Sequence, residues 1–115
     1  MPKYFGVIMV TYIVNLRVNY QIYDEYVAWL RSEHINETLQ VDGFIDAELL
    51  LKKGGAMEAS SRDVSVIYTV RDEVAIKTYL SEKAMTLREK AIDKFPGLFS
   101  ASREVWLETE KFTLK

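Results

Sequence analysis

Four stretches of this chain alternate with period two and two others repeat every three or four residues, and the order in which they come leaves few folds open. From Val10 to Tyr20, Tyr12, Val14, Leu16 and Val18 share one face, while Ile13, Asn15, Arg17 and Asn19 take the other. Period two with β-branched residues predicts a strand. The stretch Phe44–Lys53 alternates again, with Ile45, Ala47, Leu49 and Leu51 on the expected core face. Arg62–Arg71 does so through Val64, Val66, Tyr68 and Val70. The last, Leu98–Glu108, sets Phe99, Ala101, Arg103, Val105 and Leu107 against Ser100, Ser102, Glu104 and Trp106. Between the second and third strands, Lys53 to Ser61 is polar and glycine-rich, which predicts a hairpin loop.

The two remaining stretches read as helices. Asp24 and Glu25 stand at the dipole-positive start of the first. Along it Tyr23, Val27, Leu30 and His34 are spaced four, three and four, so they lie on one face, with His34 at the helix end. Gly43 closes the connection to the next strand. Asp72 is the expected N-cap of the second helical region. Ile76, Leu80, Ala84, Leu87, Ala91 and Phe95 form its apolar stripe, which stops at Pro96-Gly97. Thr86-Leu-Arg-Glu89 reads as a capping box, which predicts a break into two helices near Ala84-Met85.

The order is therefore β-α-β-β-α-β. With right-handed crossovers it predicts an α+β, ferredoxin-like domain: a four-stranded antiparallel sheet with both helices on one face. The last strand should lie beside the first, and the third between the first and the second. Residues 1–9 fit no element and read as an extension or a lead-in to the first strand, leaving one domain over residues 10–115. At 115 residues the chain buries about two-thirds of its unfolded surface, enough for one core without staples.

Composition removes several functions. With 15 basic and 17 acidic residues intermixed there is no basic stripe, so nucleic acid is not an expected partner. No apolar run reaches spanning length, and the first residues are too short an apolar stretch for a secretory signal. The absence of cysteine removes a disulfide framework and a thiolate site, and fits a reducing cytoplasm. One histidine cannot make a three-ligand zinc site, since His34 with Glu37 supplies two ligands at most. No metal is expected. There is no strained nucleophile turn, and Gly54-Gly55 carries neither a P-loop nor a dinucleotide fingerprint, so no cofactor is expected either.

What remains is a cleft between helices and sheet. His34 is the only side chain that titrates near neutral pH, and so the only candidate general acid or base. Arg103 starts on the apolar side of its strand, where it must pair with a carboxylate such as Glu33 or Glu37, snorkel to the rim, or face a ligand oxygen. Tyr12 and Tyr68 bring hydroxyls into the same volume, and Trp29 or Glu33 is expected near the mouth. The competing reading is structural: His34 as a protonated cap at a helix C-terminus, Arg103 in an internal ion pair, and the tyrosines as core.

The run Thr11-Tyr-Ile-Val-Asn-Leu, then Trp29-Leu-Arg-Ser-Glu-His-Ile35, Gly43-Phe44, Leu87-Arg-Glu-Lys90, and Phe95 followed by Phe99-Ser-Ala-Ser-Arg103 resembles a family of small uncharacterised bacterial proteins in the dimeric α+β barrel superfamily. That resemblance implies a homodimer in which two sheets meet, and a ligand pocket between sheet and helices. Its relatives include cofactor-free quinol monooxygenases, muconolactone isomerase-like enzymes and haem-degrading monooxygenases. Three functions stay open: binding of a small molecule in the cleft, cofactor-independent oxygenase or isomerase chemistry on an aromatic or enol-like substrate, and a non-catalytic interaction module. The dimer is expected through the helix-free sheet face, where Asn15, Arg17, Asp46, Glu48, Ser65 and Glu104 mix with Ile13, Phe44, Ile67 and Trp106.

Overall fold

Each alternating stretch becomes a strand, and hydrogen bonding orders the four as predicted. The computed structural model describes residues 2–4, 8–52 and 60–114. Its strands are β1 (Pro2–Tyr4), β2 (Met9–Asn19), β3 (Phe44–Leu51), β4 (Ser61–Val70), β5 (Phe99–Thr109) and β6 (Phe112–Leu114). The main sheet runs β3-β4-β2-β5, antiparallel throughout. The hairpin loop expected at Lys53–Ser61 lies mostly outside the described residues. A separate two-stranded ribbon joins β1 to β6, with Lys3 opposite Thr113, so part of the segment that fitted no element pairs with the far end of the chain.

The faces follow the register. Tyr12 stands opposite Tyr68, and Leu16 opposite Val64 on one side and Ala101 on the other. Val10, Tyr12, Leu16 and Val18 of β2, with Val64, Val66, Tyr68 and Val70 of β4, are buried under the helices. At the start of β3 the expected parity fails. The register shifts between Phe44, opposite Val70, and Asp46, opposite Thr69, leaving Ile45 as the extra residue of a bulge. Ile45 is therefore exposed, and Phe44 turns from the helix-free face into the core. There its ring meets Tyr68 and Tyr79 edge-on, with centroids 5.5 and 4.9 Å away.

Over the core-facing side lie α1 (Tyr23–Trp29), a π turn (Leu30–His34), α2 (Ile35–Leu39), α3 (Glu73–Glu82) and α4 (Ala84–Lys94). Among the described residues no helix is long and apolar enough to cross a membrane. Asp72 caps α3 as expected, accepting the Ala75 N–H at 2.8 Å, and Glu73 pairs with Lys77 one turn on at 2.9 Å. Two details differ from the periodic reading. The break falls at Lys83, so Thr86 and Glu89 lie inside α4 and cap nothing. Tyr79 rather than Leu80 faces the core, because its larger ring fills the space above Tyr12 (centroids 5.6 Å apart) while Leu80 points to solvent. Beyond α4 the chain turns at Phe95-Pro96-Gly97-Leu98. The Leu98 N–H returns to the Phe95 carbonyl, and Gly97 supplies the positive φ of 71° that Pro-Gly turns of this kind require.

Candidate functional site

The helix that carries His34 is not a plain α-helix. Backbone from Tyr23 to Leu39 is continuously right-handed, but between α1 and α2 the Ile35 N–H reaches back five residues to the Leu30 carbonyl. Such a wide turn inserts one residue into the helix and brings side chains five apart over each other, where an ordinary helix would splay them. Trp29 and His34 are five apart, and their rings stack at 4.5 Å with an angle of 21° between planes. Trp29 is held in turn by Tyr26 and Phe95, both with centroids 5.7 Å away. The helix also continues past His34 to Leu39. His34 therefore sits mid-helix, not at the expected helix end, and the competing reading of it as a C-terminal cap does not hold.

A cavity of about 290 Å³ lies between this helix, α4 and the sheet. His34, Arg103, Tyr12 and Tyr68 all line it. Two others singled out from the sequence do not. Trp29 is buried behind the His34 ring, and Glu33 is an exposed side chain that the cavity does not reach. The lining also includes residues that the periodic reading passed over: Arg88 of α4, Tyr79 of α3, and Tyr26 and Thr38 on either side of the π turn. Arg88 had a signal. Ala84, Arg88, Ala91 and Phe95 are spaced four, three and four, so it lies in the apolar stripe of α4.

The cavity walls are mostly apolar, and their polar groups are poorly matched. The Arg103 side chain is exposed and forms no ion pair or hydrogen bond among the described residues, so the expected pairing with Glu33 or Glu37 does not occur and its guanidinium is left to solvent or a ligand. Glu37 is engaged by the Lys90 ammonium instead. Arg88 donates through a terminal nitrogen to the Tyr12 hydroxyl at 3.5 Å, and its buried Nε has no partner among the described residues. Buried Nδ1 of His34 also lacks one. The Thr38 hydroxyl donates to the His34 carbonyl at 3.0 Å. Burial pushes the Tyr68 phenol up to about 12, with Thr38 opposing, and raises Tyr26 and Tyr79 as well. The tyrosines are thus neutral hydrogen-bonding groups at physiological pH.

For His34 the direction is the reverse. Burial lowers its pKa from 6.5, Glu37 opposes, and Lys90 and Arg103 add to the lowering. The ring is accordingly neutral and able to accept a proton. The unfolded chain takes up that proton near its ordinary pKa, and the folded chain only at lower pH. Stability is therefore fully present above the unfolded value and declines as pH falls toward the folded one. Wild type should lose melting temperature relative to His34→Gln when the buffer goes from about pH 7.5 to about 5.5. A gap between the two proteins that does not change over that range would show that the ring is not held neutral.

A four-stranded antiparallel sheet with helices on one side defines a ferredoxin-like α+β fold. The chain belongs to the DUF4286 family, a domain of unknown function, which matches residues 9–109. No curated protein matches it. Among solved structures the fold is similar to an ethyl tert-butyl ether D (EthD) family protein from Bacillus halodurans (13% identity, TM-score 0.61, covering 84% of this chain and 96% of that one). It is similar also to SnoaB, a cofactor-independent oxygenase from Streptomyces nogalater (13% identity, TM-score 0.60, 84% and 90%). A third is a dimeric ferredoxin-like protein of unknown function from Thermobifida fusca (12% identity, TM-score 0.61, 90% and 94%). At these identities the likeness is one of fold.

Proposed function

We propose that this protein binds a small, largely apolar molecule in the cavity between helices and sheet, its polar end toward His34 and Arg103. The observation that carries this reading is the mismatch inside the cavity. Tyrosine and aliphatic walls enclose space that the fold leaves unfilled, while the buried His34 Nδ1 and Arg88 Nε on them have no hydrogen-bond partner among the described residues. Thermal-shift screening of aromatic compounds tests it. A ligand present at about a hundred times its Kd should add about 2.7 kcal/mol of stability, several degrees in Tm for a domain of this size. His34→Ala and Arg103→Ala should reduce that shift. If no compound raises the melting temperature, the non-catalytic module is the better reading.

Neutral His34 on the cavity wall also favours a second reading, cofactor-independent oxygenase or isomerase chemistry on an aromatic or enol-like substrate. The imidazole would take a proton from a bound phenol or enol, and Arg103 would steady the developing oxyanion. Turnover abolished by His34→Ala with ligand affinity retained would distinguish catalysis from binding.

The same reading includes a homodimer through the helix-free face of the sheet. That face carries exposed Trp106 and Leu50. Beside them a polar row crosses three strands, in which Ser65 donates to Asn15 and Asn15 to Glu104 at 2.7 and 3.1 Å. Such a mixture suits a wet interface. Light scattering should give twice the 13.3 kDa chain mass, and Trp106→Glu should halve it. A single-chain mass at high concentration removes the dimer.

A further inference from the structure

The polar inventory of the cavity says more than that something binds there. Among the described residues two guanidiniums line it, Arg88 from α4 and Arg103 from β5, and none of the lining residues is an aspartate or a glutamate. Arginine is cationic at all relevant pH and can only donate. Each arginine therefore presents a positive charge and N–H groups to a cavity walled by tyrosine and aliphatic side chains, Arg88 from a half-buried position and Arg103 from one exposed to solvent. Arg88 leaves its buried Nε unanswered and has one long bond to Tyr12. Arg103 has no hydrogen bond or ion pair among the described residues, and the nearby acid, Glu37, is already held by Lys90. Two like charges lining one cavity repel. Arg103 is exposed and keeps its hydration, whereas the unmatched Nε of Arg88 is buried and carries a desolvation cost.

We propose that the ligand is an organic carboxylate, its head group held between Arg88 and Arg103 and its body against the tyrosines. This rests on the cavity reading above and adds the ligand's charge and its second anchor. A carboxylate brings two oxygens with about four lone-pair sites, which suit a guanidinium fork and a second donor. It carries one negative charge, which offsets most of the repulsion between the arginines. A phosphate dianion would meet the same cations at a larger desolvation cost against the apolar walls. A neutral head group would leave both charges uncompensated.

The test compares three probes of one shape: 2-naphthoate, its uncharged isostere 2-naphthamide, and the cation 2-naphthylmethylammonium. Titration calorimetry is run on the wild-type protein and on Arg88→Met and Arg103→Met, which keep side-chain length and remove charge. On the wild type, 2-naphthoate should bind about tenfold more tightly than 2-naphthamide, the difference between charge-assisted and neutral hydrogen bonds, and the cation should not bind. Each Met variant should bring that ratio toward one with little change in the affinity for the amide. Equal binding of the carboxylate and the amide overturns the carboxylate proposal while the cavity reading stands. A preference unmoved by both substitutions also overturns it, since the anion is then held elsewhere. If none of the three probes binds, the carboxylate proposal and the cavity reading fall together. Because the ratio is read first on the wild type, the test does not depend on either variant folding.

Discussion

Trp29→Ala should remove about 3–5 kcal/mol of folding stability, the range for deleting a large buried aromatic. The indole is 6% exposed and is held by Tyr26, Phe95 and the His34 ring. Those neighbours come from the same helix and from the end of α4, and cannot all close on the vacated space. A domain of this size has about 5–15 kcal/mol to lose, so the urea midpoint should fall by about a fifth or more. The second consequence is local. Without the indole beneath it, the His34 ring loses the surface that sets its plane, and ligand affinity should drop even at temperatures where the variant is folded. Trp29→Phe retains an aromatic face and should cost far less on both counts. A loss under about 1 kcal/mol for Trp29→Ala would mean that the ring is not a packed part of the core.

Gly43→Ala should be nearly as damaging, for a reason that has nothing to do with hydrophobic burial. Gly43 joins α2 to β3 with a φ of 90°, and its carbonyl accepts the Arg71 N–H at 2.7 Å, which ties the start of β3 to the end of β4. A side chain there faces two penalties. Left-handed backbone costs a non-glycine residue about 1–2 kcal/mol, and the new methyl would overlap the Ala75 side chain on α3. Overpacking adds about 1–3 kcal/mol. The sum, about 2–5 kcal/mol, should appear in chemical denaturation. A double-mutant cycle separates the parts. Ala75→Gly in the Gly43→Ala background should recover the steric share and leave the backbone share. No recovery would place the whole effect in φ.

Much of the architecture was legible because alternation is a direct consequence of strand geometry. Tyr12, Val14, Leu16 and Val18 had to share a face wherever that strand lay, and the order of elements left one economical way to pair four strands. The lining of the candidate site was legible only in part, for residues placed on the helix–sheet side by strand parity or helix spacing: Tyr12, Tyr68, Arg103 and His34. Arg88 was not picked out because Leu87-Arg-Glu-Lys90 looks like the solvated side of a helix. That it lines the cavity depends on how α4 is rotated over the sheet. Ile45 and Phe44 were assigned to the wrong faces because a bulge breaks parity without leaving any mark in composition.

Sequence alone, then, determined the four main strands, the helical stretches, their order and the buried faces of β2 and β4, since these follow from spacing along the chain and the period of the local backbone. On β3 and β5 the expected inward residues Leu51, Val105 and Leu107 are exposed. The tertiary structure decided where that period is interrupted. The π turn at Leu30–His34, the bulge at Phe44–Asp46 and the break at Lys83 each shift everything downstream by a fraction of a turn or one side of a strand. No local propensity favours such defects. They hold because the ring packing they permit across the core, Trp29 on His34 and Phe44 on Tyr79, outweighs the cost of one irregular backbone step.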